Sequence, residues 1–141
     1  STNTINGIWR NSMSALSDTL ENTILDAILR NTSYQGPSTV YIGLNTASFT
    51  DDGSGGTEIS GNGYARQSIA FDAASSGATD NTSTVDFPTA TGSWGTISHW
   101  GLFTASTSGT LLIHGAFSAS KAVASGDILR IAAGELDITA A

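Results

Sequence analysis

Residues 61–71 read Gly-Asn-Gly-Tyr-Ala-Arg-Gln-Ser-Ile-Ala-Phe. A glycine-rich turn runs there directly into a strand-type segment that carries an arginine among mostly apolar neighbours. Before it lie one helical segment and a flexible loop. After it come short β-type runs separated by Gly, Ser, Thr, Asn and Asp, so this stretch opens the β part of the chain.

If 64–71 is a strand, Tyr64, Arg66 and Ser68 share one face, and Ala65, Gln67 and Ile69 share the other. Two partners suit Arg66. One is a carboxylate across a subunit interface, where the planar guanidinium fork is favoured. The other is an acid of the adjoining loop, Asp51, Asp52 or Glu58. Tyr64, Arg66 and Gln67 are therefore candidate interface residues.

Upstream, residues 47–62 hold Asp51, Asp52, Gly53, Gly55, Gly56, Glu58 and Gly61. This is too polar and too glycine-rich to pack, and is expected to be a long surface loop. Residues 39–45 alternate Val40, Ile42 and Leu44 against Tyr41, Gly43 and Asn45, the pattern of a first strand with one core-facing side. Over 17–30, Leu16, Leu20, Ile24, Leu25, Ile28 and Leu29 recur at spacings of three and four, which predicts an amphipathic helix. Asp18 and Glu21 support a capped start near Ser17 or Asp18, and Asn31, Gly36 and Pro37 a stop. The helix is expected to bury its stripe on a face or edge of the β domain.

Residues 1–12 are polar apart from Ile5, Ile8 and Trp9 and read as an N-terminal arm, leaving 13–141 as a single β-rich domain. Ile5, Ile8 and Trp9 need a cover, either this chain's own sheet or a neighbouring subunit.

Downstream, strands are expected over 81–87, over 93–104 with a bulge near Gly95 or Gly101, and over 109–117 as the return arm of a hairpin. Shorter ones follow at 121–123, 127–132 and 135–139. The fold class is mainly β: an antiparallel sandwich or barrel of seven to eight strands with one N-terminal helix.

The bulk numbers agree with one domain. At 141 residues the chain can bury a core, and 39% hydrophobic with 12% charged residues is a folded composition. A net charge of −7 and a single lysine, Lys121, argue against nucleic-acid binding, which needs a cationic surface. No window is long and apolar enough for a membrane span, and no signal-peptide pattern opens the sequence. Without cysteine there is neither disulfide framework nor thiolate chemistry.

The chemistry-bearing residues form no recognisable set. His99 and His114 lie on strands that can pair, yet no third metal ligand stands at a known spacing. Asp51, Asp52 and Glu58 are oxygen ligands of the kind calcium takes, but do not match the twelve-residue calcium loop. Gly53-Ser54-Gly55-Gly56 lacks the lysine and following helix of a phosphate loop. No serine elbow or carboxylate pair marks a hydrolase, so the chain is read as no enzyme and as needing no cofactor. Asn31-Thr32-Ser33 and Asn81-Thr82-Ser83 match the glycosylation pattern, which Ser/Thr abundance makes cheap.

Several separated motifs occur in one order: Met-Ser-Ala-Leu-Ser-Asp-Thr-Leu-Glu-Asn from Met13, Val-Tyr-Ile-Gly-Leu from Val40, Gly-Tyr-Ala-Arg-Gln from Gly63, Gly-Ser-Trp-Gly-Thr-Ile from Gly92 and Leu-Leu-Ile-His-Gly-Ala from Leu111. Together they resemble a family of small tailed-bacteriophage virion proteins commonly labelled tail fibre proteins. The size and build are also similar to capsid decoration, or cement, proteins. The resemblance implies a virion structural protein that works as a homo-oligomer, with a trimer favoured, against the major capsid protein or tail subunits. Head decoration is the expected role. A tail-fibre component that contacts the host through aromatics such as Tyr64, Trp94 and Trp100 is the alternative.

Overall fold

The computed structural model describes residues 3–5 and 11–140. Ten strands and one helix follow in the order β1 (Asn3–Ile5), β2 (Asn11–Leu16), α1 (Asp18–Leu29), β3 (Val40–Asn45), β4 (Gln67–Ile69), β5 (Ala78–Asp80), β6 (Val85–Asp86), β7 (Gly95–Phe103), β8 (Leu111–Val123), β9 (Asp127–Ile131) and β10 (Asp137–Thr139). The molecule is mainly β, and its described residues form several sheets and no closed barrel.

Five strands form the principal sheet in the order β2-β8-β7-β3-β4, all antiparallel. A second sheet runs β1-β9-β6 and a third β10-β5. The β1–β9 pair is parallel, so the expected antiparallel rule fails at Asn3–Ile5. That segment, assigned from sequence to an arm, lies on the chain's own sheet, with Ile5 packed against the core. Ile8 and Trp9 lie outside the described residues.

Alternation along β3 decides the two faces of the principal sheet. Leu44 opposes Trp100 and Ile42 opposes Leu102, and all four are buried. With Ile97, Phe117 and Val123 they join Val85, Phe87, Leu129, Ile131, Leu136 and Ile138 of the other strands and loops in one core. The opposite face carries Tyr41 against Phe103, Gly43 against Gly101 and Asn45 against His99. A second, smaller core of Phe49, Phe103 and Leu111 covers it.

Several expectations are corrected. The strand foreseen over 64–71 shrinks to Gln67–Ile69, because Gly61, Asn62 and Gly63 all take positive φ and close a turn through Tyr64 N–H and Gly61 O. The segment 81–87 keeps only Val85–Asp86, since Asn81 is buried as a polar pin. Its Nδ2 donates to Ser83 O and Ala132 O, and its Oδ1 accepts from Leu136 N. An amide so engaged has no room for a glycan. The segment 121–123 is the far end of the thirteen-residue β8 rather than a separate strand. The register with β8 shifts between Ile97 and His99 and again between Leu102 and Phe103, and at both places the extra residues lie on β8, so the bulge expected in 93–104 sits on the partner strand.

Helix α1 forms where expected, with Ser17 as its N-cap accepting from Leu20 N–H at 3.2 Å. It does not bury its stripe. None of its residues is buried, and Ile24, Leu25, Ile28 and Leu29 are 39, 55, 76 and 75% exposed. At 100° per residue, Leu20, Thr23 and Ala27 turn toward the domain, Ile24 lies at the edge of that face, and Leu25, Ile28 and Leu29 point away from it.

Candidate functional site

The loop over 47–62 is not the solvated excursion its composition suggests. Phe49 is buried against Phe103 at 5.7 Å in an edge-to-face contact. Both ends of the loop are gathered by Asn45, whose Oδ1 accepts from Thr46 N, Ala47 N and Thr57 N. Glu58 then bridges back to Asn45 beside β3. The loop therefore lies as a lid over the second face of the principal sheet.

Arg66 fastens one end of the lid. Its Nε donates to Glu58 Oε2 at 2.9 Å and its Nη2 to Glu58 Oε1 at 2.7 Å, a two-pronged pair with only 9% of the Arg66 side chain exposed. Nη1 donates to Ala105 O and Ser108 O at 2.9 and 2.8 Å, reaching the turn between β7 and β8. The guanidinium also lies over Phe103, with Cζ 3.6 Å from the ring centroid. Of the partners weighed from sequence, Glu58 is the one used; Asp51 and Asp52 are not.

Tyr64 completes the joint. Its hydroxyl donates to Glu58 Oε2 at 2.6 Å and accepts from Leu44 N–H at 2.9 Å. Burial pushes the phenol far above its usual range, and the hydrogen bond to Glu58 and the Glu58 charge push the same way. Tyr64 thus remains a donor at any working pH. Gln67 only closes local bonds, from its Nε2 to Ala65 O and Arg66 O.

A second fastening uses the histidines. His114 Nε2 lies 2.8 Å from Asp51 Oδ1, and Asp51 O accepts from Asp18 N–H at the start of α1. His99 and His114 sit diagonally on β7 and β8 and line a cavity of about 440 Å³ with Phe49, Asp51 and Ala116. Ser98 Oγ spends its hydrogen on Thr46 O, so in its 2.7 Å contact with His99 the hydroxyl accepts from Nδ1–H. Burial, helped by nearby His114, holds His99 below the ordinary histidine pKa.

The three loop acids diverge. Asp51 goes to His114, Glu58 to Arg66, and Asp52 closes its own turn by accepting from Ser54 Oγ, Thr50 Oγ1 and Ser54 N at 2.6, 2.5 and 2.9 Å. The Ser54 and Thr50 hydroxyls hold Asp52 down at about 2. Among the described residues no group of three His, Asp or Glu side chains gathers where it could hold a metal ion. No described helix is long and apolar enough to cross a membrane.

The aromatics considered for host contact are core residues. Trp100 is fully buried, Trp94 is 4% exposed, and the Tyr64 ring packs edge-on against Trp94. All the exposed large apolar side chains of the described residues lie instead between Ile24 and Tyr34. Nothing in the sequence pattern distinguished this outward stripe from one that faces a core. Asn45 and Asn81, the two polar pins, also carried no signal beyond their place in turn-rich segments.

No curated protein matches the chain. The family described as Podophage GP4 fiber I protein gp80 matches residues 15–139, nearly the whole length. The matched span holds α1, the principal sheet save the first part of β2, the lid and both of its fastenings. The chain belongs to this phage fibre family, and with it to the structural proteins associated with the virion.

Proposed function

We propose that the chain is a non-catalytic subunit of a phage fibre, built as a two-layered β domain that associates with further copies of itself, three being the favoured number. The carrying observation is the fibre-family match over 15–139. The polar groups support a structural role, because Arg66, Glu58, Tyr64, Asp51 and His114 spend their hydrogen bonds on holding the lid and the β7–β8 turn in place. An acidic surface with net charge −7 suits a protein partner, a capsid or tail subunit, and not nucleic acid or an anionic membrane.

The family description favours the fibre over the head-decoration role that size alone suggested. Copy number in purified virions separates the two. A fibre subunit is expected in a few to tens of copies per particle, measured by quantitative mass spectrometry against the major capsid protein. Abundance near that of the capsid subunit would replace the fibre by head decoration. Turnover of bacterial envelope polysaccharide by the purified chain would overturn the non-catalytic role.

A further inference from the structure

We infer that the outward face of α1 is the surface through which one copy of this chain packs on another. The inference rests on the reading of the chain as a self-associating fibre subunit, and names the contact. Ile24, Leu25, Ile28, Leu29 and Tyr34 are the exposed large apolar side chains of the described residues, and all fall within eleven consecutive positions. A soluble surface scatters such residues singly; a contiguous set marks a contact.

Area and shape point to a second copy. At roughly 120 Å² for a large aliphatic side chain, the exposed fractions of Ile24, Leu25, Ile28 and Leu29 leave about 300 Å² of apolar surface per copy. Two such patches supply about 600 Å² of apolar area, which at the usual apolar share of about 57% matches an interface of about 1,000 Å², the lower bound for a specific one. Ile24 with Ile28 and Leu25 with Leu29 form two ridges at i, i+4 spacing with a groove between them. A ridge of the same helix from another copy fits that groove, and three such helices can meet in this way about a common axis.

Charge disfavours the other occupants. A helix that lies on a membrane carries Lys and Arg along its polar side, whereas α1 carries Asp18, Glu21 and Asp26, with Arg30 paired to Asp26 just beyond its end. The helix start is hydrogen-bonded to the domain, through Ser17 N–H to Leu112 O and Asp18 N–H to Asp51 O, and Leu20, Thr23 and Ala27 are partly buried beneath it. It is thus fixed in place while its outer side stays uncovered.

The test is sedimentation of the full chain at micromolar concentration, alongside Ile28→Glu and Leu25→Glu. Both positions are more than half exposed, so the variants keep their fold, which circular dichroism checks. The expected result is an oligomer for the parent chain and self-association weaker by at least roughly 30-fold for each variant. An oligomer that both variants leave unchanged overturns the α1 contact while the self-associating subunit stands. A parent chain that sediments as a monomer even at 100-fold higher concentration overturns the self-association itself. Because the chain has no cysteine, Ile28→Cys supplies a lone thiol, and a disulfide-linked pair forming on mild oxidation is expected only if α1 meets α1.

Discussion

The Glu58 carboxylate lies over Gly43 on the lid side of the sheet. A Cβ placed at Gly43 would stand 2.7 Å from Glu58 Oε2 and 3.1 Å from Phe103 Cε1. The carboxylate has no freedom to step aside, since Arg66 and Tyr64 hold the same oxygen. Gly43→Ala is therefore expected to cost about 2 kcal/mol of stability, as overpacking does. The loss should shrink in a Glu58→Ala background. Equal losses in both backgrounds, read by urea unfolding, would place the clash with Phe103 instead.

Removing the Arg66 fork leaves Glu58 half-desolvated without its counter-charge. Arg66→Met keeps the aliphatic stem but loses the guanidinium that lies over Phe103, and is expected to destabilise by about 3 kcal/mol, near the lower end for breaking a buried pair. A double-mutant cycle with Glu58→Gln should show a clear coupling energy. Additive losses would mean that Arg66 acts mainly through the Ala105 and Ser108 carbonyls.

His99 makes stability depend on pH. Its folded-state pKa lies below the unfolded value of about 6.5, so between the two only the unfolded chain takes up the proton. The contribution is fully present above about pH 6.5 and is lost as pH falls through the folded value. The groups facing His99 across the cavity are His114 of β8 and Asp51 of the lid. The melting temperature of the parent chain should therefore drop from pH 8 to pH 5 by more than that of His99→Gln. Parallel slopes would assign the dependence to the other titrating groups.

The β-rich class was legible because Ile42, Leu44, Ile97, Leu102 and Val123 obey strand alternation, and alternation reports the burial of one face. Helix α1 was legible for the same reason, through its period and its Ser17 cap. Periodicity cannot say what a stripe faces, so the stripe of α1 was assigned to the domain when it points outward. The lid was misread because composition counts glycines and acids without knowing their partners. Gly43 and Gly101 stand opposite one another and lower the sheet surface, which lets Phe49 and Glu58 lie on it. Arg66 pairs with Glu58, one of the loop acids weighed for it, and that choice over Asp51 or Asp52 goes with the turn at Gly61–Gly63, a matter of backbone geometry and not of residue type.

The way Arg66 grips the β7–β8 turn has a consequence for how the protein can diversify. Nη1 takes only main-chain oxygens, those of Ala105 and Ser108, and a carbonyl is common to every amino acid. Ser106 and Thr107 project from that turn into solvent and contribute nothing to its anchorage. The frame thus holds this tip by its backbone and leaves its side chains free to be exchanged, so that new chemistry can be displayed there without rebuilding what carries it.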